Sequence, residues 1–494
     1  MGTDSKRARK TDGTGFFQKI KNAFLNFGKR FADGSVGTKL SHFIFGSGNF
    51  YHGQIVKGLI FLLLQAGILA IMILCPTIND TPYGWKALAN LSLKNVSEGR
   101  EFDPLTGEMT VGSDCQLMLL FGFVTIALIV IYFIIWNLNI ASSYKADTDK
   151  RDGRKPTTFK QDLKDLLDGR FHVLMLTPTC IAAAIFTILP TVFMISIAFT
   201  TYNQQDMHEL GTNLFRWSGL HNFASVFTGE GSLGMEIKNR FLPVLGWTFI
   251  WAILATLTCY FGGIILALLI NKKGLKGKKA FRTLFILTIA VPQFISLLAV
   301  RNLLGEYGPI NELLKNLGWT KESISFLGFQ MGNTPRDAAQ LLADEMRAKV
   351  MVIVVNMWVG IPYTMLMTSG ILMNIPTDLY EAAKVDGAST TKMFFKITLP
   401  YVVFVTTPYL ISSFVGNINS FNSIYLLTGG GPTYTGYQAG GTDLLVTWLY
   451  KVTIDQGSYN TGAVIGIFTF LITATITLVT YRRSKAYNEE DTFQ

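Results

Sequence analysis

The chain has 494 residues, of which 49% are hydrophobic and 15% are charged, and its mean hydropathy is +0.33. A soluble domain usually carries about 25% charged residues, so this composition excludes an ordinary soluble protein and indicates that much of the chain faces lipid. Four cysteines are too few for a disulfide framework and lack zinc spacing, and the five histidines form no ligand pair. We therefore predict no metal site.

The first 54 residues are polar and basic, and the first apolar run begins near Ile55. We expect no cleavable signal peptide, and a first span that stays in the protein as an anchor. Phenylalanine and isoleucine residues recur here at helical spacing among lysine and arginine residues, which is typical of a basic amphipathic helix on the inner leaflet. For residues 1–14 a disordered basic tail is an equal alternative. The apolar positions are Phe16, Phe17, Ile20, Phe24, Phe27 and Phe31.

Eight apolar runs of about 20 residues or more are long enough to cross a hydrocarbon core, and in lipid each must be a helix. They lie near 55–77, 116–140, 173–200, 243–270, 283–304, 349–373, 401–424 and 461–480. The predicted fold class is all-α, a polytopic membrane protein with about eight transmembrane helices. A short helix is also predicted over Phe159–Leu167. We divide the chain into an N-terminal region (1–54), three spans (55–240), a core of five spans (241–481) and a tail (482–494).

Lysine and arginine residues predict the orientation. With the N-terminus inside, the inner segments carry 29 of them and the outer segments carry 11. Since cytoplasmic loops carry an excess of these residues, both termini are predicted to be cytoplasmic in a cell (plasma) membrane. The net charge of +10 then reflects topology and not a nucleic-acid footprint, so we predict no nucleic-acid partner.

The predicted spans contain almost no ionisable side chains, which disfavours a proton-driven carrier, a redox subunit or a membrane metalloenzyme. Sodium coupling through backbone carbonyls stays open. Neutral polar residues cluster with aromatic residues in the sixth and seventh spans, and amides beside rings suit a sugar. Hydrogen bonding between helices is an equal alternative. These residues are Asn356, Trp358, Tyr363, Ser412, Ser413, Asn417, Asn419, Ser420 and Asn422.

Four prolines, which can kink helices, fall inside the predicted spans. They are Pro190, Pro292, Pro362 and Pro408.

The segment between the sixth and seventh spans has helix and turn signals. Thr377 or Asp378 is expected to N-cap a short helix, and Gly387 permits a sharp turn. A second helix over 390–398 is expected to stop before Pro400. We predict a compact helix–turn–helix on the cytoplasmic face.

This segment reads IPTDLYEAAKVDGA and continues to ITLP. It resembles the EAA loop of permease subunits in ATP-binding-cassette (ABC) importers, and specifically those of the carbohydrate (maltose/maltodextrin-type) family. The whole chain resembles the larger permease of such systems, most closely over roughly residues 243–483. The resemblance implies a type I ABC importer permease fold, a bacterial cell membrane and a sugar cargo, most readily an oligosaccharide.

In that family the EAA helix docks on a separate ATPase. The resemblance therefore implies two ATPase subunits, a second EAA-type permease and an extracellular sugar-binding protein as partners. The chain has no GxxxxGK[ST] phosphate loop, so ATP and Mg²⁺ belong to the ATPase, and we expect this chain to be no enzyme and to bind no cofactor. The implied ATPase-coupling residues are Glu381, Ala382, Ala383, Asp386, Gly387 and Pro400.

The family also lines its sugar pathway with residues of the sixth and seventh spans. The positions proposed here, from the motif match and the polar clusters together, are Asn356, Trp358, Val359, Gly360, Tyr363, Ser413, Gly416, Asn417 and Ser420. Gly416 replaces an aromatic residue and Ser420 an asparagine of the maltose-type pattern, which speaks against maltose itself. The short 201–242 loop resembles versions of the family in which the sugar-binding protein is lipid-anchored.

Two other hypotheses for the function are less well supported by the sequence. A secondary, ion-coupled carrier would need coupling-ion sites and, often, inverted repeats, which the sequence does not display. A membrane scaffold or receptor would leave the EAA-type segment unexplained. Cys75 and Cys115 flank one predicted outer loop and could pair, although isolated apolar thiols are the favoured interpretation.

Overall fold

A computed structural model describes residues 27–78, 81–92, 115–204, 215–272, 274–305, 308–317 and 344–483. The predicted N-terminal amphipathic helix lies mostly outside the described residues, although residues 27–32 are helical. The chain forms two compact units. The first comprises Met1–Ser196 with Asp206–Trp217, and the second comprises Ile197–Gln205 with Ser218–Gln494.

Besides the helical residues 27–32, the first unit contains six helices of the described chain, a short hairpin and most of a seventh helix. In order they are α1 (Val36–Leu40), α2 (Ser47–Tyr51), α3 (Ile55–Leu74), strands β1 (Thr77–Ile78) and β2 (Thr81–Pro82), α4 (Trp85–Asn90), α5 (Cys115–Arg151), α6 (Phe159–Leu167) and α7 (Phe171–Ile197). The strands are antiparallel, with Thr77 opposite Pro82. The predicted helix over Phe159–Leu167 is confirmed, and Cys75 and Cys115 are free thiols.

The segment before α3 is held by polar side chains of α5. The Asn139 side chain donates to the carbonyl oxygen of Ser41 at 2.9 Å and accepts from the amide of Gly46 at 2.8 Å. Asp147 accepts from the amide of Ser35 at 2.7 Å. Hydropathy could not predict α1 and α2 because their packing depends on partners about 100 residues away.

The second unit holds the remaining helices of the described chain. They are α8 (His221–Thr228), α9 (Gly231–Asn271), α10 (Lys278–Ala290), α11 (Gln293–Leu304), α12 (Pro309–Asn316), α13 (Glu345–Met373), α14 (Thr377–Val385), α15 (Thr390–Ile418), α16 (Phe421–Thr428), α17 (Leu445–Tyr450) and α18 (Tyr459–Arg483).

Seven helices of the described chain are long and apolar enough to cross a membrane, and an eighth crossing exists if the bent pair α10 and α11 counts as one. The all-α, polytopic fold class is thereby confirmed. The helices of the second and fourth spans are longer than the predicted apolar runs, ending at Arg151 and beginning at Gly231 respectively. Two further spans differ from prediction. The fifth bends by 92° just before Gln293, because Pro292 cannot donate the amide that would continue α10. The seventh ends at Ile418 and not at 424.

Helix α15 passes through Pro400, so the prediction that a helix would stop before this proline was wrong. The turn Phe394–Thr398 is a π-helix, in which the amide of Leu399 donates to the carbonyl oxygen of Phe394, five residues earlier. This wider turn allows the helix to continue through Pro400, which has no amide N–H to donate. A π-helical turn also precedes Pro190 in α7.

Helix α9 approaches α13 closely at glycine residues, as small residues allow in membrane bundles. A Cβ added at Gly263 would lie 2.5 Å from the Cβ of Thr364, and one at Gly360 would lie 2.6 Å from the sulfur of Cys259. The two helices run in the same direction, because Cys259 pairs with Asn356 and, further on, Asn271 bonds Ser369.

Helix α15 runs antiparallel to α9. The hydroxyls of Tyr260 and Thr406 lie 2.6 Å apart, whereas Asn417, further along α15, donates to Thr256, earlier on α9, at 2.9 Å. The fourth and sixth spans therefore share a direction that the seventh reverses, as an alternating eight-span order predicts.

Replacing Gly263 with alanine should destabilise the second unit, because the added methyl group overpacks a buried helix contact at a cost of about 1–3 kcal/mol. We expect a lower thermal unfolding temperature in detergent, measured by intrinsic fluorescence. Gly246→Ala on the same helix is the matched control, since a Cβ there meets nothing within 4 Å. Equal unfolding temperatures for the two variants would contradict the packing account.

Candidate functional site

The EAA-type segment forms two helices joined by a tight turn. Helix α14 begins at Thr377, and Pro376 occupies the N-cap position without a side-chain hydrogen bond. The prediction that Thr377 or Asp378 would be the N-cap was therefore wrong. Asp378 instead lies in the first turn, where its charge complements the helix dipole.

Gly387 forms the predicted turn, with a left-handed φ of +70°. The amide of Ala388 donates to the carbonyl oxygen of Ala383 at 2.9 Å, and that of Gly387 to Lys384 at 3.0 Å. This pair of bonds is the Schellman ending, which requires a residue that tolerates positive φ. Ser389 then caps the start of α15.

The turn presents its side chains outwards. Glu381, Ala382, Asp386 and Gly387 are exposed, Ala383 is half-buried and Val385 is 88% exposed. The hydroxyls of Tyr380 and Thr398, 2.8 Å apart, fix α14 against the base of α15. The exposed side chains of this turn are therefore accessible to another protein.

A cavity of about 320 Å³ lies among α9, the bend between α10 and α11, α13 and α15. Six of the nine predicted pathway residues line it, namely Asn356, Val359, Gly360, Tyr363, Ser413 and Asn417. Trp358 instead lines a separate apolar cavity of about 430 Å³. Neither Gly416 nor Ser420 is among the lining residues, and the Ser420 hydroxyl donates to that of Ser423 at 3.0 Å.

The two asparagines of the cavity also join helices. Asn417 donates from its side chain to Thr256, and its carbonyl oxygen accepts from the indole nitrogen of Trp251 at 3.1 Å. The Asn356 side chain donates to the sulfur of Cys259 at 3.3 Å. Asn356 and Asn417 therefore both line the cavity and form hydrogen bonds between helices.

Sequence reasoning missed Gln293 and Tyr409, which also line the cavity. Each directly follows an in-span proline, Pro292 or Pro408. A polar side chain placed directly after a proline within a span was the signal that could have identified them.

A buried acidic residue organises the loop 429–444 that follows α16. Asp443 is fully buried and accepts from the amide of Gly440 and the ammonium group of Lys451, both at 2.7 Å, and from the Thr447 hydroxyl at 2.8 Å. These three donors compensate for the desolvation of its charge. This ion pair was not predicted from the sequence.

Helix α9 connects this loop to the cavity. The indole of Trp247 donates to the carbonyl oxygen of Thr442 at 3.1 Å, one helical turn from Trp251, which bonds Asn417. On the loop itself, burial raises the pKa of Tyr434 above its ordinary value, and a hydrogen bond to Glu345 acts in the same direction.

Replacing Lys451 with methionine should be strongly destabilising, because Asp443 would stay buried without its cation, at a cost of about 3–5 kcal/mol. The double variant Asp443→Asn with Lys451→Met should recover much of that loss, since it leaves no buried charge. Thermal unfolding in detergent measures both. If the double variant were no more stable than the single one, the ion pair would not be what anchors the loop.

Comparison with known proteins relates the chain to a family of transport proteins. Residues 259–486 match the family described as binding-protein-dependent transport system inner membrane component. The chain is 30% identical over 448 residues to the galactooligosaccharides transport system permease protein GanP of Bacillus subtilis, covering 90% of this chain and 96% of that protein.

Two further relatives bear maltose-related names. Identity is 31% over 450 residues to the maltodextrin transport system permease protein MalC of Streptococcus pneumoniae, covering 90% of this chain and 95% of that protein. It is 36% over 274 residues to the maltose/maltodextrin transport system permease protein MalF of Escherichia coli, covering 54% and 49%. The chain belongs to the binding-protein-dependent family of inner membrane transport components, and it is an ABC importer permease and not a secondary carrier.

Proposed function

We propose that this permease imports oligosaccharides, and that the cavity lined by Tyr363, Ser413 and Asn417 is part of their path. The observation that carries the proposal is the lining itself, in which the described residues combine amides, hydroxyls and aromatic rings without a charged side chain. Amides and hydroxyls hydrogen-bond sugar hydroxyls, while rings cover the apolar faces of a sugar. Relatives named for galactooligosaccharides and maltodextrins support this class of cargo.

The proposed coupling device is α14 together with α15. Glu381, Ala382, Ala383, Asp386 and Gly387 would contact a separate ATPase, and Pro400 would sit where the device enters the membrane. Helix α15 is continuous from Thr390 to Ile418, so it links the docking segment to Ser413 over roughly 35 Å. Movement of the docking segment would therefore displace one wall of the cavity.

The proposal extends to the remaining partners, which the family resemblance implies. Two ATPase subunits would bind ATP and Mg²⁺, a second EAA-type permease would supply the other half of the path, and an extracellular, lipid-anchored protein would deliver the sugar. The docking segment and both termini would be cytoplasmic, in agreement with the distribution of lysine and arginine residues. The cell membrane would be bacterial.

Replacing Glu381 with alanine, or Gly387 with valine, should abolish sugar uptake and reduce co-purification of the ATPase. Valine at Gly387 is strained because the backbone there has a φ of +70°. Thr391→Ala, an exposed position nearby, is the control and should behave as wild type. Unchanged uptake and ATPase recovery in both test variants would refute the coupling assignment.

Replacing Tyr363 with leucine, or Asn417 with alanine, should raise the KM for uptake or change the preferred sugar. The ATPase should still co-purify, because neither residue lies in the docking segment. Uptake kinetics in proteoliposomes across several oligosaccharides are the measurement. Wild-type kinetics for every sugar in both variants would show that the path lies elsewhere.

A further inference from the structure

Two tyrosine rings from different helices meet in the cavity. Tyr363 on α13 and Tyr409 on α15 have ring centroids 6.0 Å apart and planes inclined by 30°. Among the described residues that line this cavity, they are the two with aromatic side chains. Gly416, where the maltose-type pattern has a ring, lies outside the lining.

The two rings differ in burial, since Tyr409 packs against the protein interior and Tyr363 is more exposed. Tyr409 is half-buried and packs on the cluster formed by Tyr260, Ile264 and Val402. Tyr363 is 55% exposed. Within the described chain, neither hydroxyl has a hydrogen-bond partner, so each is free to bond a ligand or water.

We propose that Tyr363 and Tyr409 together form the sugar-stacking subsite of this cavity, and that Tyr409 is a specificity-determining residue. This inference rests on the proposed function. The two neighbouring rings, of which Tyr409 packs on the protein interior, form an aromatic platform for the C–H face of a sugar ring. Gln293 and Asn417 line the same cavity, and their side-chain amides are suited to hydrogen-bonding the hydroxyl groups at the edge of the sugar ring.

The placement of the rings also couples binding to transport. Tyr409 belongs to the helix that continues into the proposed docking segment, whereas Tyr363 belongs to α13. A shift of α15 along α13 would separate the rings and break the platform. The sugar would then be held in one conformation of the permease and released in another, as alternating access requires.

The test uses the complete transporter, assembled with the partner subunits from its own gene cluster and reconstituted in proteoliposomes. The probes are radiolabelled maltotriose and galactotriose. Tyr409→Leu and Tyr409→Met remove the ring, and Tyr409→Phe removes only the hydroxyl. Tyr401→Leu, on the same helix but outside the cavity lining, is the matched control. Thermal unfolding of each variant checks that the fold is kept.

For the better-transported probe, loss of the Tyr409 ring should raise the KM about three- to tenfold, with the ATPase still bound. Tyr409→Phe should fall between these variants and wild type, and Tyr401→Leu should match wild type. Expressed as free energies, the KM increase of the double variant Tyr363→Leu with Tyr409→Leu should be smaller than the sum of the two single increases, because either change disrupts the same platform.

A wild-type KM in a folded Tyr409→Leu or Tyr409→Met variant would overturn the inference and leave the proposed function standing. So would an equal KM increase in Tyr401→Leu, or strictly additive effects of the two ring deletions. Failure of the wild-type transporter to take up either probe would instead overturn the oligosaccharide assignment itself, and the stacking subsite with it.

Discussion

The close approach of α9 to α13 is the contact on which the second unit depends. At Gly263 and Gly360 side-chain atoms of the neighbouring helix, from Thr364 and Cys259, occupy the space that a Cβ would need, so the two helices can approach closely there. The same helix uses Trp251 to fix Asn417 and Trp247 to fix the loop 429–444. Helix α9 thus forms one wall of the cavity, holds Asn417 through Trp251 and holds the loop 429–444 through Trp247, one helical turn earlier.

Continuity of α15 has the largest mechanistic consequence. A proline at position 400 would ordinarily end or kink a helix, but the π-helical turn Phe394–Thr398 carries the chain through it. The exposed turn at Gly387 therefore lies just before a continuous helix that contains the cavity residue Ser413. Since helices transmit displacement along their axes with little compression, this continuity would link the proposed docking segment directly to the proposed sugar cavity.

Much of the architecture was predictable because lipid imposes it. Span length, neutral interiors and the turn at Gly387 depend on local properties, namely hydropathy, charge and backbone freedom. The bend at Pro292 and the passage through Pro400 were not predictable, because the same residue type ends one helix and is bypassed in the other. The Asp443–Lys451 pair and the ring of Tyr409 depend on which helices become neighbours, and a single sequence does not reveal that.

The central claim is that the cavity beside Ser413 is a water-accessible path for sugar, and cysteine accessibility tests it most directly. The complete transporter would carry Ser413→Cys in a background without its four native cysteines. A water-soluble maleimide should label this variant, and a transported oligosaccharide should slow the labelling. Thr406→Cys, buried on the same helix, should stay unlabelled. Absence of labelling at position 413 in every nucleotide state, or labelling that sugar does not slow, would contradict the account.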